Sequence, residues 1–137
     1  MATRKLGFMV STLPYKIEGS RLAMTHAIAS QSVGIYLEDG DMVEPVVCFI
    51  GDGVFNCIKN QQSMKHYGIT SLAQHIKNSL LLDLTVLICK EDVDKFGLNE
   101  DALIMDAEDM GGKTKAKIVP FSEIRRVMES VDHLLFN

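Results

Sequence analysis

The chain lacks a CxxC pair. Its three cysteines, Cys48, Cys57 and Cys89, are odd in number and widely spaced, so neither a disulfide framework nor a structural zinc site is expected. It also lacks any apolar run near the ~20 residues that span a bilayer. The opening Met1-Ala2-Thr3-Arg4-Lys5-Leu6 carries no apolar h-region, so a cytoplasmic protein is expected, with its cysteines as thiols. Basic charge is not in excess: the formal net charge is −4. That argues against nucleic acid or an anionic membrane as the main partner, because phosphate binding depends on clustered Lys and Arg. The four histidines, His26, His66, His75 and His133, have no ligand spacing to one another or to a cysteine, so no metal or cofactor is called for. There is no repeat, low-complexity tract or linker. At 137 residues the chain reads as one domain, 1–137, large enough to fold without a metal or a disulfide.

What is present is a set of short apolar runs separated by helical patterns. Leu6-Gly7-Phe8-Met9-Val10-Ser11, Pro45-Val46-Val47-Cys48-Phe49-Ile50 and Leu84-Thr85-Val86-Leu87-Ile88-Cys89 are too continuously apolar for half-exposed strands. They read as strands covered on both faces, which is typical of parallel sheets. Lys117–Pro120 and His133–Phe136 add a fourth and a fifth. Between them, 21–31, 71–80 and 122–131 carry helical periodicity. Ser71 with Gln74 predicts a capping box, and Ser122 predicts the cap of the last helix. Glu38-Asp39-Gly40-Asp41 predicts a turn, 60–68 a loop, and the acidic stretch 91–109 one or two short helices. Strands alternating with helices predict an α/β sheet with helices on both faces.

In such a sheet, ligands gather at the carboxyl ends of the strands. Three loops leave that edge: Ser11-Thr12-Leu13-Pro14-Tyr15, Gly51-Asp52-Gly53 and the segment beginning Cys89-Lys90. Cys89 is the sharpest candidate nucleophile. It ends a strand, Lys90 is beside it, and a helix start just after it would favour the thiolate. Glu91, Asp92 and Asp94 would act the other way. The competing reading is that Cys89 is a small apolar plug. Cys48, inside a strand, and Cys57, on a face with Val54 and Ile58, read as core. Gly51-Asp52-Gly53 is either an anion cradle of backbone N–H groups or a tight turn; it lacks the Lys-Ser/Thr of a P-loop. Ser11, Thr12 and Tyr15 would serve a flavin or nucleotide phosphate only by analogy of position.

Four segments carry a resemblance to a known family. Phe8–Tyr15, Phe49–Phe55, Leu87-Ile88-Cys89 and Val131–Phe136 resemble the DsrE/DsrF family of sulfur-relay proteins, which includes the Tus proteins of transfer-RNA thiolation. The Gly51 segment is most similar to the DsrF/TusC branch. The acidic tract after Cys89 departs from the more basic segment of the thiolation carrier subunit. The resemblance implies a three-layer α/β/α sandwich with a five-stranded parallel sheet in the order 4-3-2-1-5, which would set Cys89 beside the Gly51–Gly53 loop. It implies homotrimers, or hexamers that include related subunits. The role implied is to accept sulfane sulfur on Cys89 as a persulfide from a donor protein and pass it to an acceptor protein. Lys90 and the Gly51–Gly53 amides would support the charged sulfur. A subunit that only completes an oligomer and docks partners is the alternative.

Overall fold

The computed structural model describes residues 3–32 and 42–137; the turn expected at 38–41 falls outside them. The strands are β1 (Thr3–Val10), β2 (Met42–Phe49), β3 (Thr85–Cys89), β4 (Lys117–Val119) and β5 (His133–Phe136). They form one sheet in the order β4-β3-β2-β1-β5, with every pairing parallel. The helices are α1 (Gly19–Ser32), α2 (Ser63–Tyr67), α3 (Leu72–Leu81), α4 (Lys90–Lys95) and α5 (Phe121–Ser130).

Alternation along the strands divides the core into two layers. Phe8, Val47, Phe49, Val86 and Ile88 point to one face, where they meet Ala23, Met24 and Ala27 of α1 and Ile76 and Leu80 of α3. Met9, Val46, Cys48, Leu87 and Cys89 point to the other, against Ile124 and Met128 of α5. Both faces are covered, so the sandwich has three layers, and the continuous apolar runs of β2 and β3 have their cause. Pro45 is tolerated in β2 because β3 joins only from Val46 onward, so its missing N–H precedes the doubly paired part of the strand.

Local sequence misled in three places. β1 begins at Thr3 rather than Leu6: its exposed first residues pair with Met42, Val43 and Glu44, and ladder hydrogen bonds carry no hydrophobic signature. The expected loop at 60–68 contains α2, a turn closed by the left-handed Gly68 (φ 68°), whose N–H reaches the Met64 carbonyl. Ser122 does not cap α5. The helix begins at Phe121 behind Pro120 and has no cap from its own flank; the Glu91 carboxylate, from another element, accepts the Phe121 N–H at 3.0 Å. Ser71 does cap α3, accepting from the Gln74 N–H at 3.0 Å. The reciprocal half of the box is not made, because the Gln74 side chain turns to Asn78 instead.

Candidate functional site

The connection leaving β3 packs on the α1/α3 face, through Val93 of α4 and then Leu103, Ile104 and Ala107. The connection leaving β4 is α5, on the opposite face. Strand exits that part in this way mark the sheet edge at which ligands usually gather. Cys89 stands at it, the last residue of β3, in register with Val119 at the end of β4. It is also the residue on which α4 starts, with no side-chain cap of its own.

The Gly51–Gly53 turn lies next to this point because β2 and β3 are neighbours. Two contacts fix the turn. Gly53 is pressed against the end of β1 so closely that a Cβ would stand 2.0 Å from the Val10 carbonyl oxygen, so glycine is required for close approach, as well as for the left-handed Gly51 (φ 52°). The Gly51 N–H donates to the Asp92 carboxylate at 2.7 Å, tying the turn to the first turn of α4. Asp52 is exposed. Asn56, buried just behind, donates to the carbonyls of Thr12 and Gly53 at 2.9 and 2.8 Å. All three predicted loops are thereby linked into one sheet edge.

The electrostatics follow the acidic neighbours rather than the lysine. Cys89 is only 1% exposed, and burial pushes its thiol up to about 11; the Asp92 backbone N–H opposes the rise, while the Asp92 carboxylate and the Glu91 charge add to it. Lys90, expected to favour the thiolate, instead pairs with Asp94 along α4 at 3.2 Å, its side chain 58% exposed. Cys48 is fully buried, and burial, with the nearby Cys89 second, pushes it up to about 12. Burial also raises Cys57 strongly.

The residues of the first loop do other work. The Ser11 N–H donates to the Asn137 carbonyl at 2.8 Å. The Tyr15 hydroxyl accepts from the Leu72 N–H at 2.9 Å and donates to Gln61, pinning the loop to the start of α3. Thr12 turns its hydroxyl toward Gly19, without a hydrogen-bond partner. These three do not converge on one point as a phosphate loop would. His75 meets Arg21 at 3.0 Å; among the described residues no His, Cys, Asp and Glu group could hold a metal. A cleft of about 460 Å³ lies away from Cys89, between Lys59, Lys77, Asp101 and Asp106. None of the three cysteines lines it. Sequence reasoning missed Asp92 and Glu91 as ties between elements, because one acidic residue among many gives no local sign of a tertiary partner.

Comparison with known proteins agrees with this architecture. The model of the DsrE/DsrF-like family matches residues 4–135. No curated protein matches the chain in sequence. Among solved structures, the ychN protein from E. coli is 19% identical with a TM-score of 0.72, over 98% of this chain and 99% of that one. The protein of unknown function MTH1491 from Methanobacterium thermoautotrophicum is 11% identical with a TM-score of 0.59, over 98% and 99%.

Proposed function

The chain belongs to the DsrE/DsrF-like family, and from that premise we propose that it is a cytoplasmic sulfur-relay protein that carries sulfane sulfur on Cys89. The observation that carries this reading is the place of Cys89: the end of β3 at the divergence of β3 and β4, in register with Val119 and beside the Gly51 turn. Membership supports a role in sulfur relay; the carrier step rests on that position. The Gly51-centred segment favours a DsrF/TusC-like member.

The step is an exchange at sulfur. The Cys89 thiolate attacks the outer sulfur of a donor persulfide, R–S–SH. The donor's S–S bond breaks, R–S⁻ leaves, and Cys89 becomes Cys–S–SH. Attack on that outer sulfur by an acceptor thiolate passes it on and restores Cys89. Sulfur moves as a neutral atom, so no external oxidant or reductant enters. With its thiol raised by burial to about 11, Cys89 rests protonated at pH 7. The exchange therefore takes place within a complex, where a basic group of the donor accepts the proton. Donor and acceptor are proteins presenting a cysteine. Among the described residues no helix is long and apolar enough to cross a membrane.

The same reading makes the protein a closed oligomer, a trimer or hexamer of itself or with related subunits. Edge strand β5 leaves Leu134, Leu135 and Phe136 exposed, Phe136 by 72%, and such surfaces are commonly buried between subunits. One observation favours a second reading. A thiol this buried and this hard to ionise also suits a docking subunit with no chemistry of its own. Incubation with a persulfide donor separates the two: the carrier reading requires cyanide-labile sulfur on the wild type and none on Cys89→Ser, whereas a wild type that never loads is the docking subunit.

A further inference from the structure

Sulfur exchange needs in-line approach to the sulfur atom, and Cys89 offers 1% of its surface. Something at the sheet edge has to move. On one side the cover is apolar core: Ile124 is fully buried, Met128 is 5% exposed, and Ile50 and Val119 pack with them. Displacing that side would break up one of the two core layers. On the other side the cover is the first turn of α4, anchored by Val93 in the core beneath it and by Glu91 at the Phe121 N–H; among the described residues one hydrogen bond joins that turn to the Gly51 loop. It is the 2.7 Å bond from the Gly51 N–H to the Asp92 carboxylate. Asp92 is only half-buried, so water can replace Gly51 as its partner at small cost. Gly51 itself has nothing within 4 Å of where a Cβ would stand, so the turn is open on that side at Gly51, while Gly53 stays packed on the Val10 carbonyl.

The geometry points to Asp92 as the positioning residue of this site: its carboxylate clasps the Gly51 turn to the helix that starts at Cys89, and sulfur reaches the thiol when that clasp opens. The inference rests on Cys89 as the carrier, and it deepens that reading by naming what controls access. Asp92 does not touch the donor; it governs access through the turn, besides acting on the Cys89 thiol beside it. The clasp gives the resting protein a closed thiol, and a docking partner that offers the Asp92 carboxylate a new hydrogen-bond donor releases it.

The test is alkylation of native full-length protein with a neutral reagent, read peptide by peptide over a pH series, with each rate divided by the thiolate fraction that the same peptide's rate-against-pH profile gives. That division removes the direct effect of the Asp92 charge on the thiol. Asp92→Ala should raise the Cys89 rate per thiolate by about tenfold or more, the factor for one lost charge-assisted hydrogen bond, and leave Cys48 unchanged. Asp92→Asn keeps an oxygen for the Gly51 N–H and should stay near wild type. A per-thiolate rate for Asp92→Ala within about twofold of wild type, below the effect of a single net hydrogen bond, would overturn the proposal; so would an equal rise at Cys48. Should Asp92→Ala fail to fold, the wild type decides. Low urea should speed Gly51 amide exchange and Cys89 alkylation together, ahead of global unfolding; alkylation that follows only global unfolding overturns the clasp. Neither readout involves persulfide, so a chain that never loads sulfur defeats the carrier reading without bearing on this result.

Discussion

Glu91 holds the N-terminus of the helix that returns the chain to the far edge of the sheet: both of its carboxylate oxygens lie 3.0 Å from the Phe121 N–H. The residue two after the sheet-edge cysteine thus supplies the cap that Ser122 does not. Glu91→Ala should cost about 1 kcal/mol, the scale of a lost N-cap, and Glu91→Gln less, because an amide oxygen still accepts. Equilibrium urea unfolding of the three proteins checks the order. Equal midpoints would mean that the contact contributes nothing to stability.

The two glycines of the β2 turn should respond differently to alanine. At Gly53 the added methyl meets the Val10 carbonyl oxygen at 2.0 Å, while at Gly51 it meets nothing within 4 Å. Gly51→Ala bears only the left-handed backbone, about 1–2 kcal/mol. Gly53→Ala forces backbone apart and should cost more, at least about 3 kcal/mol. Thermal denaturation by circular dichroism ranks them, and a reversed order would contradict the packing of the turn on β1.

Much of this architecture is legible in the residues, for a physical reason. The runs ending at Val10, Phe49 and Cys89 are apolar on both faces because α1 and α3 cover one side and α5 the other, and two-sided burial is what continuous hydrophobicity records. Cys48 and Cys57 read as core for the same cause. The electrostatics of Cys89 were legible in part: Glu91 and Asp92 do oppose the thiolate as their charge implies. Adjacency in sequence set Lys90 beside it, but the Lys90 side chain runs along α4 to Asp94. Adjacency to Glu91 and Asp92 likewise gave no hint that one reaches Phe121 and the other Gly51.

Stability should fall in alkali. Burial holds the Cys48 thiol near 12 and the Cys89 thiol near 11, against an ordinary 9.0. Above that ordinary value the unfolded chain has released protons that the folded chain retains, so the unfolding free energy decreases with pH. The contribution is complete below about pH 9 and is lost as pH rises through the folded values. Urea midpoints at rising pH should decline over that range. Cys48→Ser should flatten part of the decline, while its own unfolding free energy at pH 7 drops by roughly 1–3 kcal/mol for a hydroxyl buried without a partner. A flat profile for the wild type would mean that these thiols are more solvated than the fold shows.

Assembly should depend on β5. Phe136, 72% exposed on that edge strand, is placed to be covered by another subunit. Sedimentation at micromolar concentration should show a closed oligomer, and Phe136→Asp should shift it toward monomer. A wild-type monomer would leave the exposed edge without an explanation.

The central claim is that Cys89 is the atom that holds sulfur. Native wild-type protein is incubated with a persulfide-bearing donor protein, and its peptides are then weighed under non-reducing conditions. The account predicts one added sulfur atom on the peptide carrying Cys89 and none on those carrying Cys48 or Cys57. An added sulfur on either of the other two, or none on any peptide while the donor remains loaded, would contradict it.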